Sequence, residues 1–127
     1  MTDTEKENLV KKFIEAYNVF DVDGMLACLD ERVNFQNISN DQVTLEINGL
    51  DDFRKQAESA AALFSERRQR IGELSVSSDI CEVSIDYEGK LAADLSNELK
   101  AGDTIALKGK SVYEFRGDKI FRIRDIS

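Results

Sequence analysis

The sequence predicts an α+β fold, with helices packed on one face of a bent antiparallel sheet. Apolar residues recur at helical spacing over 4–20, after Asp21, and over 50–66. They alternate with a period of two at 33–47 and again from Ile71 to Ile126. Helical and extended stretches are segregated rather than interleaved as parallel βαβ units would require. The 127 residues suit one domain spanning 1–127.

The first helix rests on the stripe Leu9, Val10, Phe13, Ile14, Tyr17 and Phe20, with Thr4 and Glu7 as a capping box at its start. Asp21 caps a short second helix carrying Val22, Met25, Leu26 and Leu29. Val33 and Phe35, then Val43, Leu45 and Ile47, read as strands joined at Ser39–Asn40–Asp41. Leu50, Phe53, Ala57, Ala60, Ala61 and Phe64 predict a third helix over 50–66, with Asp51 and Asp52 suited to its positive end. Four strands follow. Ile71 to Val76 is one, and Cys81 to Leu95 a long second one, with Gly89 marking a bulge or bend. Ile105 to Phe115 and Ile120 to Ile126 complete the set, with turns at 100–103 and 116–119. Long bent strands closed by helices leave a hollow at one end.

Composition removes several function classes. Seventeen Lys and Arg against 25 Asp and Glu give a net charge of −8, which repels a phosphate backbone and argues against nucleic acid as a partner. The single basic cluster, Arg67–Arg68–Gln69–Arg70, reads as a solvated helix end leading into a strand. No apolar run approaches the roughly 18 residues of a membrane span, so no membrane partner is expected. The acidic start Thr2–Asp3–Thr4–Glu5 lacks signal-peptide character, so a cytoplasmic location is expected. Cys28 and Cys81 sit on apolar stripes and read as buried thiols. Histidine is absent, which removes Ser-His-Asp and Cys-His chemistry and the commonest zinc ligand, so neither metal nor cofactor is expected.

Other motifs fail on spacing. Asp21–Val22–Asp23–Gly24 opens like a calcium loop, but its glycine comes two positions early and Arg32 stands where a bidentate Glu is needed. Gly109–Lys110–Ser111 ends like a phosphate-binding loop, yet Thr104 replaces the first glycine. Asn37–Ile38–Ser39 is a glycosylation sequon without a secretion signal, and Arg116–Gly117–Asp118 is a hairpin turn.

Phe13–Ile14–Glu15–Ala16–Tyr17, Asp21 to Met25, Asn48 to Phe53 and Val112 to Ile120 together resemble nuclear transport factor 2-like proteins. The likeness is closest to the SnoaL-like and ketosteroid-isomerase-related branch. It implies a cystatin-like cone of curved sheet over three helices in the N-terminal half, a pocket at the open end and a homodimer through the outer sheet face. Ketosteroid isomerase pairs an Asp base with a Tyr and a protonated Asp as hydrogen-bond donors. The resemblance sets Phe13 at the Tyr, Gln36 at the base and Ser111 at the protonated Asp, so that mechanism is lost.

Alternation puts Gly109, Ser111, Tyr113 and Phe115 on one face. A two- or four-residue hairpin after them brings Ile120, Arg122 and Arg124 alongside. A three-residue bulged hairpin brings Phe121, Ile123 and Asp125 instead. Burying two unpaired guanidinium groups is costly, which favours the second register. Asp125 is then the candidate general base, although pairing with a Lys or Arg at the strand end is the plainer role. Phe13, Tyr17, Gln36, Ser111, Tyr113 and Ile123 are the candidate ligand contacts. Asp86, Glu88 and Asp94 fall on the opposite face, toward solvent or a partner.

The leading expectation is a SnoaL-like protein that binds a small apolar or amphipathic molecule. A lyase, isomerase or cyclase working through Asp125, with Tyr17 or Ser111 as donor, is the enzymatic alternative. A ligand-free dimeric interaction module is the third.

Overall fold

The computed structural model describes all 127 residues. Three helices, α1 (Asp3–Asn18), α2 (Val22–Leu26) and α3 (Leu50–Ala62), accompany six strands. These are β1 (Leu29–Ser39), β2 (Gln42–Asn48), β3 (Phe64–Ser77), β4 (Ile80–Leu91), β5 (Thr104–Arg116) and β6 (Lys119–Ile126). They form one sheet in the order β2-β1-β6-β5-β4-β3. Every neighbouring pair is antiparallel except β1 and β6, which run parallel, so the expected all-antiparallel sheet is corrected at that one junction. The exception follows from the long route between them, since parallel neighbours need a crossover rather than a hairpin.

Thr2–Asp3–Thr4–Glu5–Lys6–Glu7 contains two overlapping capping boxes, and the earlier one forms. Thr2 Oγ1 accepts from Glu5 N at 3.1 Å while Glu5 Oε1 accepts from Thr2 N at 2.9 Å. The cap expected at Thr4 and Glu7 is therefore displaced by two residues, because the upstream box adds hydrogen-bonded helix at no loss of packing. Asp21 caps α2 as expected, its Oδ1 accepting from Gly24 N at 2.9 Å.

Helix α3 ends at Ala62 rather than 66. Phe64 pairs with Leu91 and Arg67 with Gly89, so sheet pairing captures the last helical turn that the periodicity suggests. Strand β4 likewise stops at Leu91, short of Leu95. There Leu91 N donates to Asp103 O and Ala92 N to Leu63 O, and the chain leaves the sheet. Asp94 thus lies in the connecting loop, not on the outer face, and its Oδ1 accepts from Ala101 N at 2.8 Å.

Gly89 makes no bulge: the β4 pairings run through it without a shift. A Cβ there would stand 2.6 Å from the Phe64 ring and 3.0 Å from Tyr87 Oη, so the glycine keeps room for two aromatic side chains. Register shifts include Phe64/Glu66 and Ile71/Leu74 in the β3–β4 pairing, Asn37/Ile38 in the β1–β2 pairing and Glu114/Phe115 in the β5–β6 pairing. Each extra residue bends its strand and curls the sheet.

Helix α1 packs on β3 and β4, whereas α3 packs on β1, β2 and β3. Both lie on the concave face and leave its centre, above β5 and β6, uncovered at one end. Below this opening the core closes: Val10, Val33, Cys81, Val83, Tyr113, Ile120 and Ile123 are essentially inaccessible. Each large apolar side chain so buried contributes roughly 1.5–3 kcal/mol. No helix is long and apolar enough to cross a membrane.

Candidate functional site

The hairpin between β5 and β6 decides which side chains reach the hollow. Its turn has two residues, Gly117 and Asp118, with Arg116 opposite Lys119 and Phe115 opposite Ile120. Gly117 adopts φ 59°, a left-handed conformation that favours glycine. The register then shifts, so that Glu114 faces Arg122, Tyr113 faces Ile123 and Ser111 faces Asp125. Phe121 is the extra residue. The loop is the short one, yet the bulge within β6 gives the inward set preferred from the sequence for Ile123 and Asp125. Phe121 is the exception: its ring lies outside, 4.2 Å from the Arg116 guanidinium. Arg122 and Arg124 take the outer face and share Glu114 Oε2 at 3.5 and 3.4 Å.

The hollow is a cavity of about 340 Å³, within the range of small-molecule sites. Phe13, Tyr17, Ser111, Tyr113, Ile123 and Asp125 all line it, and Phe35, Phe53, Arg67, Gln69 and Tyr87 join them. The rings of Phe13, Phe35, Phe53 and Tyr113 meet edge-on or tilted at 6.0–6.3 Å, a rigid apolar wall.

Gln36 is not part of this wall. In the β1–β2 register Phe35 faces Ile47 and Gln36 faces Glu46, and strand alternation turns the second pair outward. Gln36 Nε2 donates to Glu46 Oε2 at 2.7 Å on the outer face. The adjacent Asn37 lines the cavity instead.

Asp125 has no cationic partner within ion-pair distance. Its side-chain contact is Ser111, whose Oγ donates to Oδ1 at 2.7 Å. The residue is half-buried where it lines the cavity. Burial pushes its pKa up from 3.8 to about 6, with the Ser111 hydrogen bond opposing the rise. Tyr113 is held well above the usual phenol range by burial and then by the nearby Asp125 charge.

Across the cavity Tyr17 Oη donates to Tyr87 Oη at 3.0 Å, which leaves the Tyr87 proton free. Burial raises both phenols. The Arg67 guanidinium stacks 3.7 Å from the Tyr17 ring centroid and 4.5 Å from that of Phe20. The residue is only 6% exposed, so the solvated cation expected from the basic cluster is corrected for this member. It sits inside because β3 begins at Phe64, which puts Arg67, Gln69 and Ile71 in phase on the concave face. That phase is present in the sequence, but a helix expected to run to 66 and a strand expected to begin only at Ile71 leave Arg67 and Gln69 between elements. Tyr87 shared the inward alternation of Val83 and Ile85 without being singled out. No group of three metal-ligating side chains converges in the molecule.

The model of the SnoaL-like domain family matches residues 10–123, ending two positions before Asp125. None of the curated protein sequences matches the chain. Among solved structures it is similar to a proposed polyketide cyclase from Xanthomonas campestris pv. campestris, with 20% identity, TM-score 0.84, and coverage of 98% of this chain and 90% of that one. It is similar also to TerC co-crystallised with polyporic acid, at 15% identity and TM-score 0.77, covering 96% and 90%. A further likeness is to an uncharacterised cystatin-fold protein from Novosphingobium aromaticivorans, at 22% identity and TM-score 0.78, covering 94% and 96%. With the matched residues spanning nearly the whole chain, the protein belongs to the SnoaL-like domain family.

Proposed function

We propose that the chain binds a small, largely apolar molecule in the cup and that Asp125 acts there as a general base. The observation that carries this is a half-buried carboxyl group lining a ligand-sized cavity with one hydroxyl donor and no cation. A purely structural aspartate at a strand end gains from a Lys or Arg partner, and Asp125 has none. A carboxyl whose pKa is near 6 is ionised at neutral pH yet basic enough to take a proton from carbon. Removal of a proton next to a carbonyl forms an O–H bond at Asp125 and leaves the electron pair on the carbonyl oxygen as an enolate. Ser111 is committed to Asp125, so the free hydroxyl of the Tyr17–Tyr87 pair is the better donor to that oxygen. Lyase, isomerase and cyclase reactions all share this step. A neighbour of the same fold co-crystallised with a small acid is consistent with the reading.

The enolisable ketone 2-tetralone tests it without knowledge of the natural substrate. Binding is read by thermal shift, since a native-state ligand raises the melting temperature. Deuterium exchange beside the carbonyl, followed by NMR, reads the base. The wild type accelerates exchange, and the rate rises with pH through about 6 as the carboxyl ionises. Asp125→Asn loses about 100-fold or more while binding persists. Bound ketone with no exchange above buffer, or equal rates in both chains, removes the base. A homodimer through the outer sheet face belongs to the same proposal, and light scattering at the 14.3 kDa of one chain would remove it.

A further inference from the structure

The cup holds two charged side chains of opposite sign that do not pair. Arg67 and Asp125 both line it, yet no carboxylate comes within ion-pair distance of Arg67. Arg67 Nε donates to Tyr17 O at 2.9 Å at the C-terminal end of α1, a carbonyl that also accepts from Phe20 N at 3.2 Å. Nη2 is buried with no partner at all. An unpaired buried guanidinium is unfavourable, and stacking on Tyr17 and Phe20 offsets only part of that. Phe20 is held at φ 61°, an unfavourable conformation for a bulky residue, to supply one of those faces.

In front of this cation stand the two hydroxyls of Tyr17 and Tyr87, half-buried and facing the cavity. Because Tyr17 donates to Tyr87, the pair presents one unused proton backed by a positive charge. The remaining titratable groups around the cavity are Tyr113 from β5 and Asp125 from β6, with Lys108 and Lys110 bordering it on β5. Helix α3 and strands β1 and β2 bring Gln56, Asn37 and apolar groups, and no carboxylate. In a chain of net charge −8, this end of the pocket therefore lacks the anion that would complement Arg67.

Resting on the reading of the cup as a ligand site, we propose that its ligand is held as an oxyanion, an ionised phenol or enol whose oxygen accepts from the Tyr17–Tyr87 pair in front of Arg67. The O–H bond of such a ligand breaks on binding, its electron pair stays on oxygen, and the proton leaves to water or to Asp125. Arg67 acts through the tyrosines as a positioning and field-supplying residue, and does not itself touch the ligand. Charge held on Asp125 opposes a second anion nearby, so the two walls compete for one negative charge.

The probe is 4-nitrophenol, whose ionised form absorbs visible light, with 4-nitroanisole as a neutral analogue that cannot ionise. Titrations across pH give the pKa of the bound phenol. The wild type lowers it by about one unit or more, a tenfold preference for the phenolate. Arg67→Met and Tyr87→Phe each remove most of that preference and weaken the phenolate more than 4-nitroanisole, and Asp125→Asn increases it. An Arg67 that only caps α1 would alter the melting temperature of Arg67→Met without moving the phenol pKa. Should Arg67→Met fail to fold, the wild-type titration and Tyr87→Phe still decide. Wild-type protein that prefers the neutral phenol, or a bound pKa unmoved by both substitutions, overturns the oxyanion site and leaves the general base standing. Binding of neither probe overturns the oxyanion site, and the 2-tetralone exchange decides the general base separately.

Discussion

Replacing Asp125 by Asn should make the protein more stable at neutral pH, although it removes the residue on which the proposed chemistry depends. The folded pKa of about 6 lies above the ordinary 3.8, so the unfolded chain ionises first as pH rises. Below about pH 4 both states hold the proton and the carboxyl group adds no pH-dependent term. Between roughly pH 4 and 6 the unfolded state gains charge that the folded state resists, and stability is lost progressively. Above about pH 6 both are ionised and the loss is complete. A shift of about two units corresponds to about 3 kcal/mol, an order-of-magnitude figure. Asn has nearly the same shape and no charge, so Asp125→Asn escapes this loss, less about 1 kcal/mol for the altered Ser111 hydrogen bond. Urea unfolding of both chains between about pH 4 and 8 should give equal stabilities at the acid end, within that hydrogen-bond term. At the neutral end the variant should lead by about 1–2 kcal/mol. Glu5 and Glu46, whose pKa values are lowered by hydrogen bonds, titrate in both chains and cancel in the difference. A variant that is less stable at neutral pH, or a difference that does not change between pH 4 and 6, would show that the Asp125 carboxylate is not desolvated enough to raise its pKa.

Two smaller substitutions test the local readings. Thr2→Ala should cost about 1 kcal/mol in a thermal melt and Thr4→Ala only a few tenths, because the capping hydrogen bond belongs to Thr2. Equal effects would place the helix start elsewhere. Gly89→Ala should destabilise by about 1–3 kcal/mol, as its Cβ would press on Phe64 and Tyr87 Oη, and should weaken 4-nitrophenol binding as well. A neutral outcome would mean that the aromatic end of the cup can yield.

Much of the architecture was legible in residue order. The stripe from Leu9 to Phe20, the cap at Asp21 and the alternation from Cys81 to Leu91 are local signals, and local structure follows them. Errors came at element ends. Phe64 to Glu66 carry a helical pattern and still join the sheet, because Leu91 and Lys90 supply strand partners that lie far along the chain. The pocket residues show the same division. Ser111 and Tyr113 follow from alternation in β5, whereas Gln36 was misplaced by one residue, and in a strand one residue is the other face.

The sequence by itself therefore determined the fold class and the helices and strands to within a few residues, because periodicity and capping act over one or two turns of chain, while the family followed from the resemblance carried by four motifs. Only the tertiary structure decided that Arg67 lies inside, that Tyr17 meets Tyr87, and that a bulge at Phe121 turns Asp125 inward. These depend on register between strands and on which distant partner captures a segment. Such long-range pairing free energies leave no local mark in the order of the residues.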